Sequence, residues 1–151
     1  MDTYKWICKA FGELTTEELY QILNLRNEVF VVEQDCVYLD TDQKDQLSWH
    51  FCGWNETGDL VAYTRLVPKG ISYADYASIG RVLTSQKVRG KGLGRPLMIK
   101  SITAAKKLFG EGPIKISAQD HLRNYYGSVG FEAVGEIYEE DGIPHVAMVL
   151  K

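Results

Sequence analysis

Apolar positions in this chain recur every second residue in some stretches and every third or fourth in others, and the switches between these rhythms divide it into strands and helices. Tyr4 to Ala10 has strand character, ended by Gly12. Thr15-Thr16-Glu17-Glu18 reads as a capping box, with Thr15 as N-cap and Glu18 reaching back. Leu19, Ile22, Leu23 and Arg26 follow at helical spacing, which predicts a first helix from Thr16 to Val29. The apolar run from Val29 to Val32 meets Glu33 and Gln34, then an acidic, irregular stretch from Asp35 to Asp45 of the length that usually carries function. Trp49 to Trp54 alternates as a strand, Asn55 to Asp59 turns at Gly58, and Leu60 to Val67 returns antiparallel until Pro68.

After a loop from Lys69 to Ala77 comes a short apolar strand, Ile79 to Thr84, then a basic loop, then a helix with apolar residues at Leu93, Leu97, Ile102, Ala105 and Leu108. Gly110, Gly112 and Pro113 punctuate the chain before a short buried strand, Ile114 to Ala118. His121 to Val129 reads as a short helix. Phe131 to Glu139 and His145 to Leu150 read as a last hairpin around Asp141-Gly142-Ile143-Pro144. The order β-α-β-β-β-α-β-α-β-β places a strand-helix-strand unit inside an antiparallel meander. It predicts an α/β fold of the α+β kind: one domain over residues 1–151, with a mixed sheet and helices on both faces.

Composition narrows the function. A net charge of -3 argues against a nucleic-acid binder, yet basic residues concentrate between Lys87 and Lys107, which suits a small polyphosphate ligand. No apolar run reaches the roughly 20 residues of a membrane span, and Met1 to Ala10 lacks the layout of a signal peptide, so cytoplasmic residence without a membrane partner is expected. Cys8, Cys36 and Cys52 are odd in number and form no Cys-x-x-Cys pair, so buried thiols are expected, with no disulfide framework and no metal site. Cys52, two residues after His50, is only a remote metal or nucleophile pair.

The chemistry concentrates at Arg89-Gly90-Lys91-Gly92-Leu93-Gly94, followed by Arg95. A strand, a glycine-rich turn and a helix form an anion cradle, because the first helical amides have no internal partner and carry the positive end of the helix dipole. A dinucleotide fingerprint is excluded, since Arg95 stands where the third glycine should fall, and no Walker sequence exists in the chain. The alternative is an ordinary turn with its basic residues facing water. The pattern that fits is Arg/Gln-x-x-Gly-x-Gly.

With that hexapeptide and the element order, the chain resembles the GNAT family of acyl-CoA-dependent N-acetyltransferases. Tyr126-Gly127-Ser128-Val129-Gly130-Phe131 is similar to the family's Tyr-x-x-x-Gly-Phe, and the blocks Leu25 to Gln34, Ala118 to Leu122 and Tyr138 to His145 resemble its ElaA-type subfamily. The resemblance implies that acetyl-CoA lies across Val82, Leu83 and Thr84, its pyrophosphate on Arg89, Gly90, Lys91, Gly92, Leu93, Gly94 and Arg95. It also implies that Tyr126 reaches the coenzyme sulfur. Gln119 stands where many members have asparagine, with the same donors and acceptors on a longer arm.

On the acceptor side Glu33, His121, His145 and Glu140 are the candidates. His121 is the expected base and Glu33 the group that orients a cationic amine; His145 and Glu140 are expected to border the acceptor. Glu140 is the weaker candidate, and the others, like Tyr126, have bland alternatives. Tyr126 can be a core aromatic, His121 a surface histidine, His145 a strand-start residue, and Glu33 a structural partner of Arg26 or Arg81 rather than a cleft residue. Asp40, Asp42 and Asp45 read as a solvated face. The implied activity is acetyl transfer from acetyl-CoA to a small-molecule or peptide amine in a ternary complex. The alternatives are an acyl-CoA-binding module without turnover, or acyl transfer like that of acyl-homoserine lactone synthases; a homodimer stays open.

Overall fold

The computed structural model describes residues 3–151. β1 (Lys5–Ala10), β2 (Trp49–Trp54), β3 (Leu60–Val67) and β4 (Ser78–Thr84) form an antiparallel sheet in that order. A second antiparallel sheet has the order β5 (Ile114–Gln119), β7 (Ile143–Leu150), β6 (Glu132–Glu140). The parallel contact that makes the whole mixed is confined to one bridge, Ala77 with Ile114, where the Lys115 amide donates to the Ala77 carbonyl at 3.0 Å. Beyond that bridge β4 and β5 diverge.

Two helices cover opposite faces of the first sheet. α1 (Thr16–Arg26) starts at the expected capping box: Thr15 Oγ1 accepts from the Glu18 amide at 3.0 Å, and Glu18 accepts from the Thr15 amide at 2.8 Å. Its Ile22 and Leu25 pack with Cys52, Tyr63 and Leu83. α2 (Gly94–Phe109) lays Leu97, Met98 and Ala105 against Phe51, Leu66 and Ile79. Neighbouring strand residues such as Phe51 and Cys52 thus serve different helices, as the alternation of a strand requires. Ser101, polar but fully buried on α2, is satisfied by Thr64 Oγ1 at 2.7 Å.

Three elements differ from the sequence reading. The first helix does not end at Val29: from Asn27 to Glu33 the chain continues with the wider winding of a π-helix, so the apolar run Val29 to Val32 extends the helix. The segment read as one helix from His121 is a 3-10 turn, Asp120–Leu122, followed by α3 (Arg123–Gly127). Ile143 and Pro144 belong to β7, because Asp141 (φ 52°) and Gly142 (φ 77°) complete the reversal alone in the left-handed conformation of a tight hairpin.

The acidic residues form no solvated face. Asp40 and Asp45 are buried and, with half-buried Asp42, hold three arginines from separate elements. Arg26 on α1 reaches Asp40 and Asp45, each at 2.7 Å; Arg65 on β3 reaches Asp42 at 2.7 Å and Asp45 at 2.9 Å; Arg81 on β4 reaches Asp40 at 2.8 Å. Charged side chains this deep are tolerated because each meets its counter-charge. His50 completes the network in its neutral form: Nε2 donates to the Asp45 carbonyl at 2.9 Å and Nδ1 accepts from the Tyr63 hydroxyl at 2.6 Å, while burial pushes the imidazole pKa down. The Cys52 thiol, buried in the α1 cluster, is pushed up to about 12 by burial, which leaves it inert.

Replacing Asp45 by alanine strips a carboxylate from both Arg26 and Arg65, and should cost about 3 kcal/mol of unfolding free energy in urea titrations at neutral pH. Burial alone would raise the Asp42 and Asp45 carboxyls, but Arg65 and Arg26 outweigh it and hold both below the usual range. Groups with a depressed folded pKa stabilise above the unfolded value of about 3.9 and lose that contribution as pH falls through the folded value. Acidification below about pH 4 should therefore destabilise the wild type more than Asp45→Ala.

Candidate active site

The divergence of β4 and β5 opens a cleft of about 510 Å³. A bulge in β4 shapes it: β3 pairs Tyr63 with Leu83 but Arg65 with Gly80, so Arg81 and Val82 together face one residue of β3. Arg81 adopts φ 50°, unusual for a side chain with a Cβ, and is held there by Asp40, whose carbonyl also accepts from Nη2 at 2.8 Å. Val82, Leu83 and Thr84 lie along one wall of the cleft with one edge paired to β3, although the Leu83 side chain itself packs beneath α1.

At one end lies the glycine-rich turn. Gly90 (φ 82°) and Gly92 (φ 73°) both need the left-handed region, and no atom lies within 4 Å of where a side chain at either would begin. α2 then starts with no side-chain cap on its first amides. Gly94 borders the cleft, and Arg95 lies on the same first turn of α2, where it donates to the Ser128 carbonyl at 3.2 Å. Leu93 is buried in the core, so only its backbone can serve a ligand. Arg89 already has partners: it donates to the Thr84 carbonyl at 2.9 Å and is ion-paired with Glu33.

That pair resolves the position of Glu33. Its partner is neither Arg26 nor Arg81; it faces the cleft and also accepts from Gln86 Nε2 at 3.1 Å. The π-helical segment aims it there, and with it Gln34, whose amide meets that of Gln119 at 3.4 Å. Gln119 thus borders the cleft from the end of β5.

Tyr126 on α3 is 6 % exposed and edge-on to Tyr125 at 4.9 Å and to Phe131 at 6.1 Å, so its ring is a core aromatic. Tyr126 also lines the cleft, and burial raises the phenol well above its ordinary pKa, which keeps the hydroxyl a donor at any physiological pH. Tyr125, which the sequence offers only as a core aromatic beside Tyr126, donates to the Gly94 carbonyl at 2.6 Å and ties α3 to the start of α2. Its phenol is pushed up to about 12 by burial. The adjacent pair Tyr125-Tyr126 was the available signal for it.

His121 is exposed at the cleft edge on the 3-10 turn, with no hydrogen bond to its ring among the described residues. His145 is buried at the start of β7, opposite Gln119 in the β5 register, and Glu140 approaches it at 3.4 Å. Cys36 also enters the cleft wall, donating to the Asp141 carbonyl at 3.4 Å. One cleft therefore gathers the β4 wall, the mouth of the glycine-rich turn, Tyr126 and all four acceptor-side candidates.

The sequence profile of the acetyltransferase (GNAT) domain matches residues 15–151. The chain belongs to the GNAT acetyltransferase family. Among GNAT relatives, it is 41% identical to the protein ElaA of Escherichia coli over 146 residues, covering 95% of this chain and 94% of ElaA. The crystal structure of Escherichia coli ElaA superposes with a TM-score of 0.91, covering 99% of this chain and 100% of that one. An acyl-CoA N-acyltransferase from Pseudomonas aeruginosa matches with a TM-score of 0.90 and 44% identity, over 97% of this chain and 99% of that one. This GNAT chain thus shares the ElaA-type fold along almost its whole length, and no helix among its described residues is long and apolar enough to cross a membrane.

Tyr125→Phe removes the bond to Gly94 while keeping the ring, and should lower unfolding free energy by about 1 kcal/mol in urea titrations.

Proposed function

We propose that the protein transfers an acetyl group from acetyl-CoA to a primary amine, the amine attacking directly while both substrates are bound. The observation that carries this reading is the single cleft in which an anion-accepting helix start, a free strand edge and a buried tyrosine adjoin carboxylates and histidines. The turn fits a coenzyme pyrophosphate: uncapped amides at the start of α2, two open glycines, and the side chains of Arg89 and Arg95 within the same few residues. Pantetheine, with its amides, suits the edge of β4 that β3 leaves unpaired.

Acetyl-CoA supplies the activated acyl thioester. The residues of the chain do the rest. Tyr126, protonated throughout, hydrogen-bonds the departing sulfur as negative charge develops there. Glu33 favours an ammonium group at the opposite side, once Arg89 turns from it to the phosphates. The attacking amine must also give up a proton, and two imidazoles, His121 and His145, line the acceptor side of the cleft.

Acetyl-CoA offered with a panel of amines, polyamines, amino acids and peptides should release free thiol with at least one of them. Coenzyme binding without release would mark a binding module instead. Gly92→Asp puts a carboxylate at the cradle and a side chain at φ 73°, and is expected to abolish coenzyme A binding by calorimetry; unchanged affinity would remove the cradle assignment. Tyr126→Phe is expected to lower kcat by about 10²-fold with coenzyme affinity retained, and an unaffected kcat would leave Tyr126 as packing.

A further inference from the structure

The two histidines in the cleft are unequal. His121 is exposed, with no neighbour among the described residues bonded to either ring nitrogen. His145 is 7 % exposed, and its Nδ1 lies 2.7 Å from the Ile143 carbonyl oxygen. A carbonyl only accepts, so Nδ1 must carry the hydrogen; in the neutral ring the lone pair then sits on Nε2. Nε2 lies 3.4 Å from Glu140 Oε2, and Glu140 is half exposed to water. Tyr138 stacks on the imidazole at 6.1 Å and 25° and is itself hydrogen-bonded to Ser117 on β5. The ring is fixed in tautomer and orientation, with one basic nitrogen at the cleft wall.

We propose that His145, rather than His121, takes the proton from the acceptor amine and passes it through Glu140 to water. The proposal rests on the acetyl-transfer reading above. The groups around the ring are consistent with it: Glu140 and Tyr138 on β6, Asp141 in the turn, Gln119 across the β5 register, and Glu33 and His121 on the other cleft walls. Three of these are carboxylates, which draw an ammonium toward Nε2. In the reaction, R–NH3+ yields one proton to Nε2. The freed nitrogen pair forms the N–C bond at the thioester carbonyl, whose π pair moves to oxygen. That pair returns as the C–S bond breaks and sulfur leaves with its electrons. The surplus proton on nitrogen goes to sulfur, so the products are the amide, the free thiol and one proton released from His145.

The probe is whichever primary amine releases most thiol in the panel, used with saturating acetyl-CoA. His145→Gln is expected to lower kcat by about 10²-fold or more, leave coenzyme A affinity unchanged and flatten the acidic limb of the kcat/KM profile, whereas His121→Ala keeps that limb. Added imidazole should restore part of the activity of His145→Ala, which a purely structural role would not allow. A His145→Gln enzyme that keeps the acidic limb, or that only raises KM, overturns the assignment. Nitrogen-15 NMR of the wild-type histidines bypasses any variant that fails to fold: His145 must be the Nδ1–H tautomer when neutral, and an Nε2–H ring overturns the proposal. A wild type that releases no thiol with any amine instead removes the acetyl-transfer reading, and the tautomer is still decided.

Discussion

β4 and β5 lie side by side for one pairing, Ala77 with Ile114, and then part. Unpaired strand edges in an interior are costly, because each orphaned amide or carbonyl forfeits its hydrogen bond. Here the loss is accepted along a wedge that water or an extended ligand can reach, and the wedge is the cleft. β4 presents one wall, β5 and the β6–β7 turn the other, and α2 and α3 meet at its base.

Charge braces the β4 wall of the wedge. The β4 bulge leaves Arg81 in a backbone conformation that disfavours a Cβ, at a cost of order 1 kcal/mol. Its guanidinium is anchored by Asp40, which Arg26 anchors in turn, while Arg65 and Asp45 link the network to the middle of the sheet. The segment from Asp35 to Asp45, without regular structure over most of its length, is positioned by this lattice. Through it Tyr38 and Cys36 enter the cleft wall.

The sequence carried the fold well because the fold is written in local signals: a capping box before α1, alternation in β2 and β3, glycines before α2. A family pattern singled out Arg89, Gly94 and Tyr126, and these three line one cleft. The sequence failed where residues distant along the chain decide the outcome. Asp40, Asp42 and Asp45 looked like surface charge because their arginines are supplied by α1, β3 and β4, and nothing within the segment announces them. The continuation to Glu33 was hidden because a π-helix shares the apolar composition of a strand or a helix end. The tautomer of His145 was equally out of reach, because it is fixed by a carbonyl's position, which no spacing rule reveals.

The pairing of Arg89 with Glu33 has a thermodynamic consequence. On the proposed reading, a phosphate arriving at Arg89 replaces one carboxylate as its counter-ion and releases that carboxylate toward the acceptor side. The exchange makes the two ligands mutually supportive: each lowers the free energy of the other's binding by the same amount, as linkage demands. A single exposed ion pair would then couple the two substrate sites, by electrostatic substitution and without any domain motion.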